Sequence, residues 1–302
     1  MRHLVAMRYV DAVAKAGSIR QAAETLAITS TALNRRILAM EEDLGVSIFE
    51  RLPRGVRLST AGEILIHHIR EQLSDMERVK SHIADLSGER RGHVSIACSQ
   101  ALLPYFLPEQ ISLYRSAHPA VTFGVLVRDR DAAEQALTDL SADIAVVFEP
   151  VRLMEFKHLL TVRQPVHAVM NADHPLAAME TVRLRDCLRY PIAVPRARYG
   201  VRHLLEMAVR RTSLTLQPMI ESDSFEFLRY YAEAENLVTF QIPIGLPVNA
   251  KGPGPVSRQI DTHDVPAGLL YVGQLRGRNL PIAAARFTNQ MLETFAERFD
   301  CE

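Results

Sequence analysis

The stretch Ser18–Leu44, SIRQAAETLAITSTALNRRILAMEEDL, constrains this chain more than any other. Its apolar residues recur at helical spacing in two short runs separated by a polar turn. Ile19, Ala22, Ala23 and Leu26 form one face of the first run. Leu33, Ile37, Met40 and Leu44 form one face of the second, with Glu41 as its polar member. Ser18 is placed to cap the first helix and Thr29 or Ser30 the second, because a short side-chain oxygen accepts an orphan backbone N–H. The paired alanines allow two helix backbones to approach closely. Ser30, Thr31, Asn34, Arg35 and Arg36 fall on the wet side of the second helix. A polar, basic face on a helix clamped by another is the pattern of a major-groove reader. It is also the pattern of any amphipathic pair in a small bundle, where paired arginines are only a solvated face. The flanking residues decide between the two.

Ahead of this stretch, Leu4–Ala16 reads as a helix with Leu4, Val5, Tyr9, Val10 and Val13 inward, ended by Gly17. Behind it, Gly45 stops the second helix. Ile48-Phe49, the turn Leu52-Pro53-Arg54-Gly55 and Val56-Arg57-Leu58 then form a hairpin whose tip carries Arg51, Arg54 and Arg57. A basic hairpin beside a helix-turn-helix is a wing, able to lie on phosphates or in the minor groove. The chain's net charge is formally zero, yet up to Thr60 nine Arg and Lys stand against six Asp and Glu. A modest local excess suffices when several cations each reach a phosphate. Ser59 or Thr60 then opens a long helix to about Leu86. Leu65, Ile69, Leu73, Met76, Val79, Ile83 and Leu86 make one stripe, opposite Arg70, Glu71, Asp75, Glu77, Arg78 and Lys80. Such a stripe fits a coiled-coil seam with a second copy of the chain, or packing on the chain's own next domain. Gly88–Gly92, GERRG, reads as a hinge.

At 302 residues the chain has room for two or three domains. It has no apolar run of about 18 residues that would span a membrane. The N-terminus lacks a signal-peptide pattern, and Cys98, Cys187 and Cys301 suggest no disulfide framework, so a cytoplasmic location is expected. From His93 onward short apolar strands alternate with helices, which is α/β with mostly parallel sheets. Strands fall at 94–97, 122–127, 143–148, 166–170, 192–195, 219–221, 237–241 and 269–275. Helices fit up to Leu113 and at 132–140, 201–211, 225–232 and 283–299. Ligands in such folds sit outside the carboxyl ends of strands, where helix N-termini point.

Gly17-Ser18, Ala22-Ala23, Leu26, Ile37, Leu44-Gly45, Phe49-Glu50-Arg51, Arg54-Gly55-Val56 and Leu58-Ser59-Thr60-Ala61-Gly62 together resemble the N-terminal signature of LysR-type transcriptional regulators. His118-Pro119, Ala142-Asp143-Ile144-Ala145 and His174-Pro175-Leu176-Ala177 are similar to words in that family's effector domain. The resemblance implies a winged helix-turn-helix over residues 1–60 and a linker and dimerisation helix over 61–88. It implies a periplasmic-binding-protein-like effector domain over 89–302, with one subdomain at 93–163 and 266–302 and a second at 164–265. Family members are usually tetramers on dyad-related promoter sites, switched by a small co-inducer. Double-stranded DNA, a co-inducer, further copies of the chain and RNA polymerase are the partners this implies. Two departures stand out. The recognition helix has Ser30 and Asn34 where the family commonly has Gln and Ser. Asn34 would suit adenine and Arg35 guanine, if so oriented. Ala232–Asn236 replaces a glycine-rich turn.

DNA contacts are therefore expected from Ser18, Thr29, Ser30, Thr31, Asn34, Arg35, Arg36, Arg51, Arg54 and Arg57. Effector contacts are expected from Ser99 and Gln100, Arg128, the cation-rich segment holding Pro195, Arg196, Arg198 and Arg202, and Ser224-Phe225. Helix capping explains Ser99 equally well, and solvent exposure any single arginine. The arginines suggest an anionic effector such as a carboxylate, which Arg binds bidentately. Cys98, beside Ser99, reads as a buried strand thiol rather than a redox sensor. No cofactor is indicated. His67, His68, His158, His167, His174, His203 and His263 lack metal-ligand spacing. An enzyme is the alternative, but there is no G-x-S-x-G and no nucleophile with a neighbouring base. A plain solute-binding protein leaves the first ninety or so residues unexplained.

Overall fold

Helix α1 (Arg2–Ala16) is followed by α2 (Ile19–Thr25), α3 (Ser30–Leu44), the hairpin β1 (Phe49–Leu52) and β2 (Gly55–Leu58), and α4 (Thr60–Leu86). The computed structural model describes residues 2–86, 92–151, 153–247 and 254–301, in two units, Met1–Ser87 and Gly88–Glu302. In the first unit Val10, Val13, Ala22, Ala23, Leu33, Ile37, Ile48 and Ile69 make one core. The caps are local chemistry. Ser18 Oγ accepts from Gln21 N (3.4 Å) and Thr29 Oγ1 from Ala32 N (3.2 Å), so Thr29 rather than Ser30 starts α3. Glu41, the polar residue on an apolar face, accepts the backbone N–H of both Ile48 (2.7 Å) and Phe49 (3.0 Å) through Oε1. It ties α3 to the wing. Val5 and Leu44, expected inside, are exposed, because the core is already filled by Val10 and Val13 on α1 and by Leu33 and Ile37 on α3.

Ser59 caps α4, accepting from Gly62 N (3.0 Å) while donating to Ser47 O (2.5 Å). The stripe on this helix is divided. Of its members Ile69 is buried in the unit's own core, with Leu65 and Leu73 packed against it, and Ile66, outside the expected stripe, is buried there too. Arg70, expected on the outer charged face, instead donates from Nε to Asp11 Oδ1 (2.9 Å), and Lys15 holds the other carboxylate oxygen (2.7 Å). Farther along, Val79 and Ile83 are exposed, as is Ile64 near the start. The side chain of Leu86 and most of the GERRG segment lie outside the described residues. The wing is pinned at its turn. Val56 N donates to Gly17 O (2.9 Å), and a Cβ on Gly55 would lie 2.4 Å from that same oxygen. Gly55 also sits at φ +113, so no side chain is tolerated there.

The second unit runs β3 (Gly92–Cys98), α5 (Phe106–Ala117), β4 (Val121–Val127), α6 (Ala132–Thr138), β5 (Ile144–Phe148), β6 (Phe156–Gln164), β7 (His167–Met170), β8 (Thr181–Val182), α7 (Leu184–Cys187), β9 (Ile192–Pro195), α8 (Gly200–Arg210), β10 (Ile220–Ser222), α9 (Phe225–Ala234), β11 (Val238–Gln241), β12 (Val256–Ile260), β13 (Gly268–Leu275) and α10 (Ile282–Arg298). One sheet has the order β4-β3-β5-β13-β6 and the other β10-β9-β11-β7-β12-β8. The chain passes between them after Gln164 and again before Gly268. The sheets are mixed, which corrects the expectation of mostly parallel strands. β13 re-enters antiparallel to both β5 and β6, and β7 is antiparallel to β11 and β12. β6, β8 and β12 are strands that the sequence did not announce. Lys157 and His158 interrupt β6, and β12 reads VSRQI, so neither shows an apolar run or clean alternation. At the altered turn after α9, Asn236 takes the left-handed conformation (φ +50) that glycine would otherwise supply.

Two measurements follow from these contacts. Gly55→Ala should destabilise the first unit by roughly 1–3 kcal/mol, read by urea unfolding, since the turn must lift off Gly17; unchanged unfolding would show the wing is not pinned there. His167 on β7 is held down to about 4 by burial, below the usual 6.5. The unfolded chain therefore takes up this proton first as pH falls. The stability His167 contributes should fall between about pH 6.5 and 4, by up to about 3 kcal/mol, and that contribution should level off below. In His167→Gln that part of the slope should be lost, leaving the part from His174 and His203, whose pKa values burial also lowers.

Candidate functional site

The first unit presents α3 and the wing side by side. Ser30, Thr31 and Arg35 are exposed on α3. Arg36 is also exposed, with its guanidinium 5.1 Å from the Tyr9 ring centroid, a cation–π contact that fixes its direction. Ser18 and Thr29 use their hydroxyls as helix caps. Asn34 Oδ1 accepts from Arg51 Nη2 (3.1 Å), joining recognition helix to wing. That bond occupies the Asn34 oxygen and leaves its NH₂ as a donor. The three wing arginines do not share the tip. Glu50 and Arg57 are cross-strand partners, with Arg57 Nη2 2.7 Å from Glu50 Oε2. Strand alternation sends Arg51 to the opposite face, against α3. Arg54 alone of the three occupies the turn, and it is exposed.

In the second unit a cleft opens where strands end. Ser99 follows β3, Arg128, Asp129 and Arg130 follow β4, Phe148 ends β5, and Ile242 follows β11; Tyr199 and Phe225 come from the turns that open α8 and α9. Ser99 Oγ accepts from Phe148 N (2.8 Å). Gln100 reaches across to the other sheet's half, where its Oε1 accepts the backbone N–H of Phe225 (2.7 Å). Tyr105 makes a second crossing, accepting from Arg229 Nη1 (2.5 Å). Phe148 is gripped between glycines, since a Cβ on Gly200 would meet its ring at 2.6 Å and one on Gly268 at 2.2 Å. The free room left is about 20 Å³. Two guanidinium groups line the cleft, Arg128 and Arg130, and the latter donates to Glu149 O.

Of the residues expected to bind an effector, Ser99, Gln100, Arg128 and Phe225 line this cleft. Pro195, Arg196, Arg198, Arg202 and Ser224 do not. Arg202 is the clearest correction. Its Nε bonds Glu206 and its Nη1 bonds Glu221, both at 2.7 Å, so two carboxylates already satisfy it. Arg198 lies 3.1 Å from Asp223 and stacks on Tyr199, and Arg196 approaches the same carboxylate at 3.9 Å. Pro195 pairs with Ser222 at the ends of β9 and β10, and Ser224 caps α9 through Phe227 N (3.2 Å). Asp129, Arg130, Phe148, Tyr199 and Ile242 were not foreseen as lining. The available signal was positional, because each follows or ends a strand or precedes a helix start. Burial pushes the Cys98 thiol up to about 12, so it is no thiolate at neutral pH. Among the described residues no group of three or more His, Cys, Asp or Glu is arranged to hold a metal. A double-mutant cycle on Arg202→Ala and Glu221→Ala, read by urea unfolding, should show coupling of about 0.5–2 kcal/mol. Zero coupling would return Arg202 to the ligand candidates.

Comparison with known proteins agrees with both halves. Residues 4–63 match the model of the bacterial regulatory helix-turn-helix proteins of the lysR family. Residues 87–296 match the LysR substrate binding domain. An HTH-type transcriptional regulator of Escherichia coli, YbhD, itself uncharacterised, is 30% identical over 207 residues, which are 68% of this chain and 65% of that protein. Among solved structures, a full-length OxyR variant from Pseudomonas aeruginosa superposes with a TM-score of 0.70 at 18% identity, over 97% of this chain and 93% of that one. Full-length CbnR in complex with its target DNA gives 0.64 at 17% identity, over 96% and 99%. These likenesses carry the fold, and the matched models cover most of the sequence. The chain belongs to the LysR family of bacterial helix-turn-helix transcriptional regulators.

Proposed function

We propose that the chain binds dyad-related promoter DNA as a dimer of dimers and is switched by a small anionic metabolite. It acts in the cytoplasm, with RNA polymerase as a downstream contact, and performs no chemistry on its ligand. The observation that carries the DNA reading is the exposed row Ser30, Thr31 and Arg35 on α3, next to a wing pinned through Gly17 and bearing exposed Arg54. α3 enters the major groove, Arg54 meets a phosphate, and Asn34 offers a donor rather than a bidentate edge. The exposed Val79 and Ile83 of α4 supply apolar surface for pairing with a second copy.

The anionic reading rests on Arg128 and Arg130, together with the backbone N–H of Phe225 at the start of α9. Arg196, Arg198 and Arg202, which first suggested it, are matched by carboxylates. A carboxylate ligand would replace Gln100 as the acceptor at Phe225 N and draw the two halves into a different closure. That changes the populations of the domain's states and, through them, the spacing of paired DNA-reading heads.

The test is a gel shift with the gene's own upstream DNA across salt concentrations. Salt-sensitive, site-selective binding is expected, with the log–log salt slope reduced by about 1 in Arg54→Ala. Binding that is absent or indifferent to sequence would sink the regulatory reading. A thermal-shift screen of organic acids should find a stabilising carboxylate whose effect is lost in Arg128→Ala; stabilisation only by uncharged compounds would count against the anion.

A further inference from the structure

A second recess, larger than the cleft, lies between the same two halves. Its free room is about 380 Å³, against about 20 Å³ in the cleft, and it falls in the size range of small-molecule pockets. Tyr105, Phe106 and Phe299 form aromatic walls from one half. Ile244 and Leu246 close it from the other, with His167 and Ser257 beside them. The segment 242–246 is shared, since Ile242 lines the cleft whereas Pro243, Ile244 and Leu246 line the recess.

The charges say what this recess accepts. Arg298 and Glu109 both border it, but they bind each other through two hydrogen bonds of 2.7 and 2.6 Å. That fork-to-fork pair leaves neither an unmatched cation for a carboxylate nor an unmatched carboxylate for an amine. His167 is uncharged at neutral pH, because burial holds it down to about 4. Its Nδ1 lies 3.4 Å from Ser257 Oγ, a long contact that leaves both groups available to a polar ligand atom. An ion entering here would lose hydration with no compensation. A flat ring would gain aromatic contact and keep one hydrogen bond.

We infer that this recess is a second ligand site, for an uncharged aromatic compound of one or two rings bearing a single hydroxyl, distinct from the cleft proposed for the anion. The compound stacks among Tyr105, Phe106 and Phe299, and its hydroxyl reaches His167 or Ser257. Occupancy acts on the cleft through the shared segment 242–246. The binding stands by itself, and only this coupling rests on the regulatory reading above.

The probe is 2-naphthol, with 2-naphthoate as its charged counterpart of similar shape. The chain contains no tryptophan, so the fluorescence of the intact protein leaves the probe window clear. Saturable binding of one 2-naphthol per chain is expected, with 2-naphthoate weaker by about tenfold or more. Ser257→Phe, which fills the recess, should weaken 2-naphthol by at least about tenfold. His167→Leu, which removes a polar handle without closing the space, should weaken it by about threefold or more. Non-saturating uptake, equal or tighter binding of 2-naphthoate, or wild-type affinity in either folded variant would overturn the site. Binding with no DNA shift in the gel assay would leave the recess standing and fell the regulatory reading instead.

Discussion

A backbone N–H cut off from water must find an acceptor, and at its joints this chain meets that demand with side chains. Glu41 accepts from Ile48 and Phe49, tying recognition helix to wing. Asp143 takes Ser95 N at 2.9 Å, Glu149 takes Leu269 N at 2.8 Å, and Gln164 takes Ile244 N at 2.9 Å. Gln100 takes Phe225 N across the cleft. At these joints a carboxylate or amide side chain finishes what regular hydrogen bonding leaves open. The positions of α3, the wing and the cleft walls depend on these few acceptors, because helices and strands alone leave the joints between them unsatisfied.

The neutral total charge hides an uneven use of arginine. In the second unit Arg202 is matched by Glu206 and Glu221, Arg183 by Asp264, Arg278 by Asp143 and Arg298 by Glu109. These are structural ties. The matching depresses the Asp264 and Glu109 carboxyls through hydrogen bonds from their arginines. In the first unit Arg70 and Arg57 are likewise tied, whereas Arg35 on α3 and Arg54 at the wing turn stand exposed. Exposed basic character on α3 and the wing therefore comes from a few placed groups rather than from a surplus.

What the sequence disclosed and what it withheld divide along the range of the interactions. The cap at Ser18 was legible, and those at Thr29 and Ser59 to within one residue, because a cap and its N–H are three residues apart. So were the apolar strands and most helices of the second unit, whose periodicity is local. Arg202 was misread because Glu221 sits nineteen residues away on another element. Arg51 and Arg57 were misread because strand register, not composition, sets the face each one occupies. β6 and β12 stayed hidden because their neighbours in the sheet, rather than their own residues, make them strands. In the cleft, strand ends pointed to Ser99 and Arg128, while the grip of Gly200 and Gly268 on Phe148 is a long-range contact that no local pattern shows.

The Gln100 amide already occupies the Phe225 N–H. For any molecule that would use the Phe225 N–H, the slot is already filled by a tethered group of the protein, present at an effective concentration on the order of millimolar or higher. A visitor has to outcompete it. A small anion that offered one acceptor and little else would merely exchange one hydrogen bond for another. A molecule that brings further contacts succeeds. For a ligand of the kind proposed, the joint would work as a threshold set by the Gln100 bond.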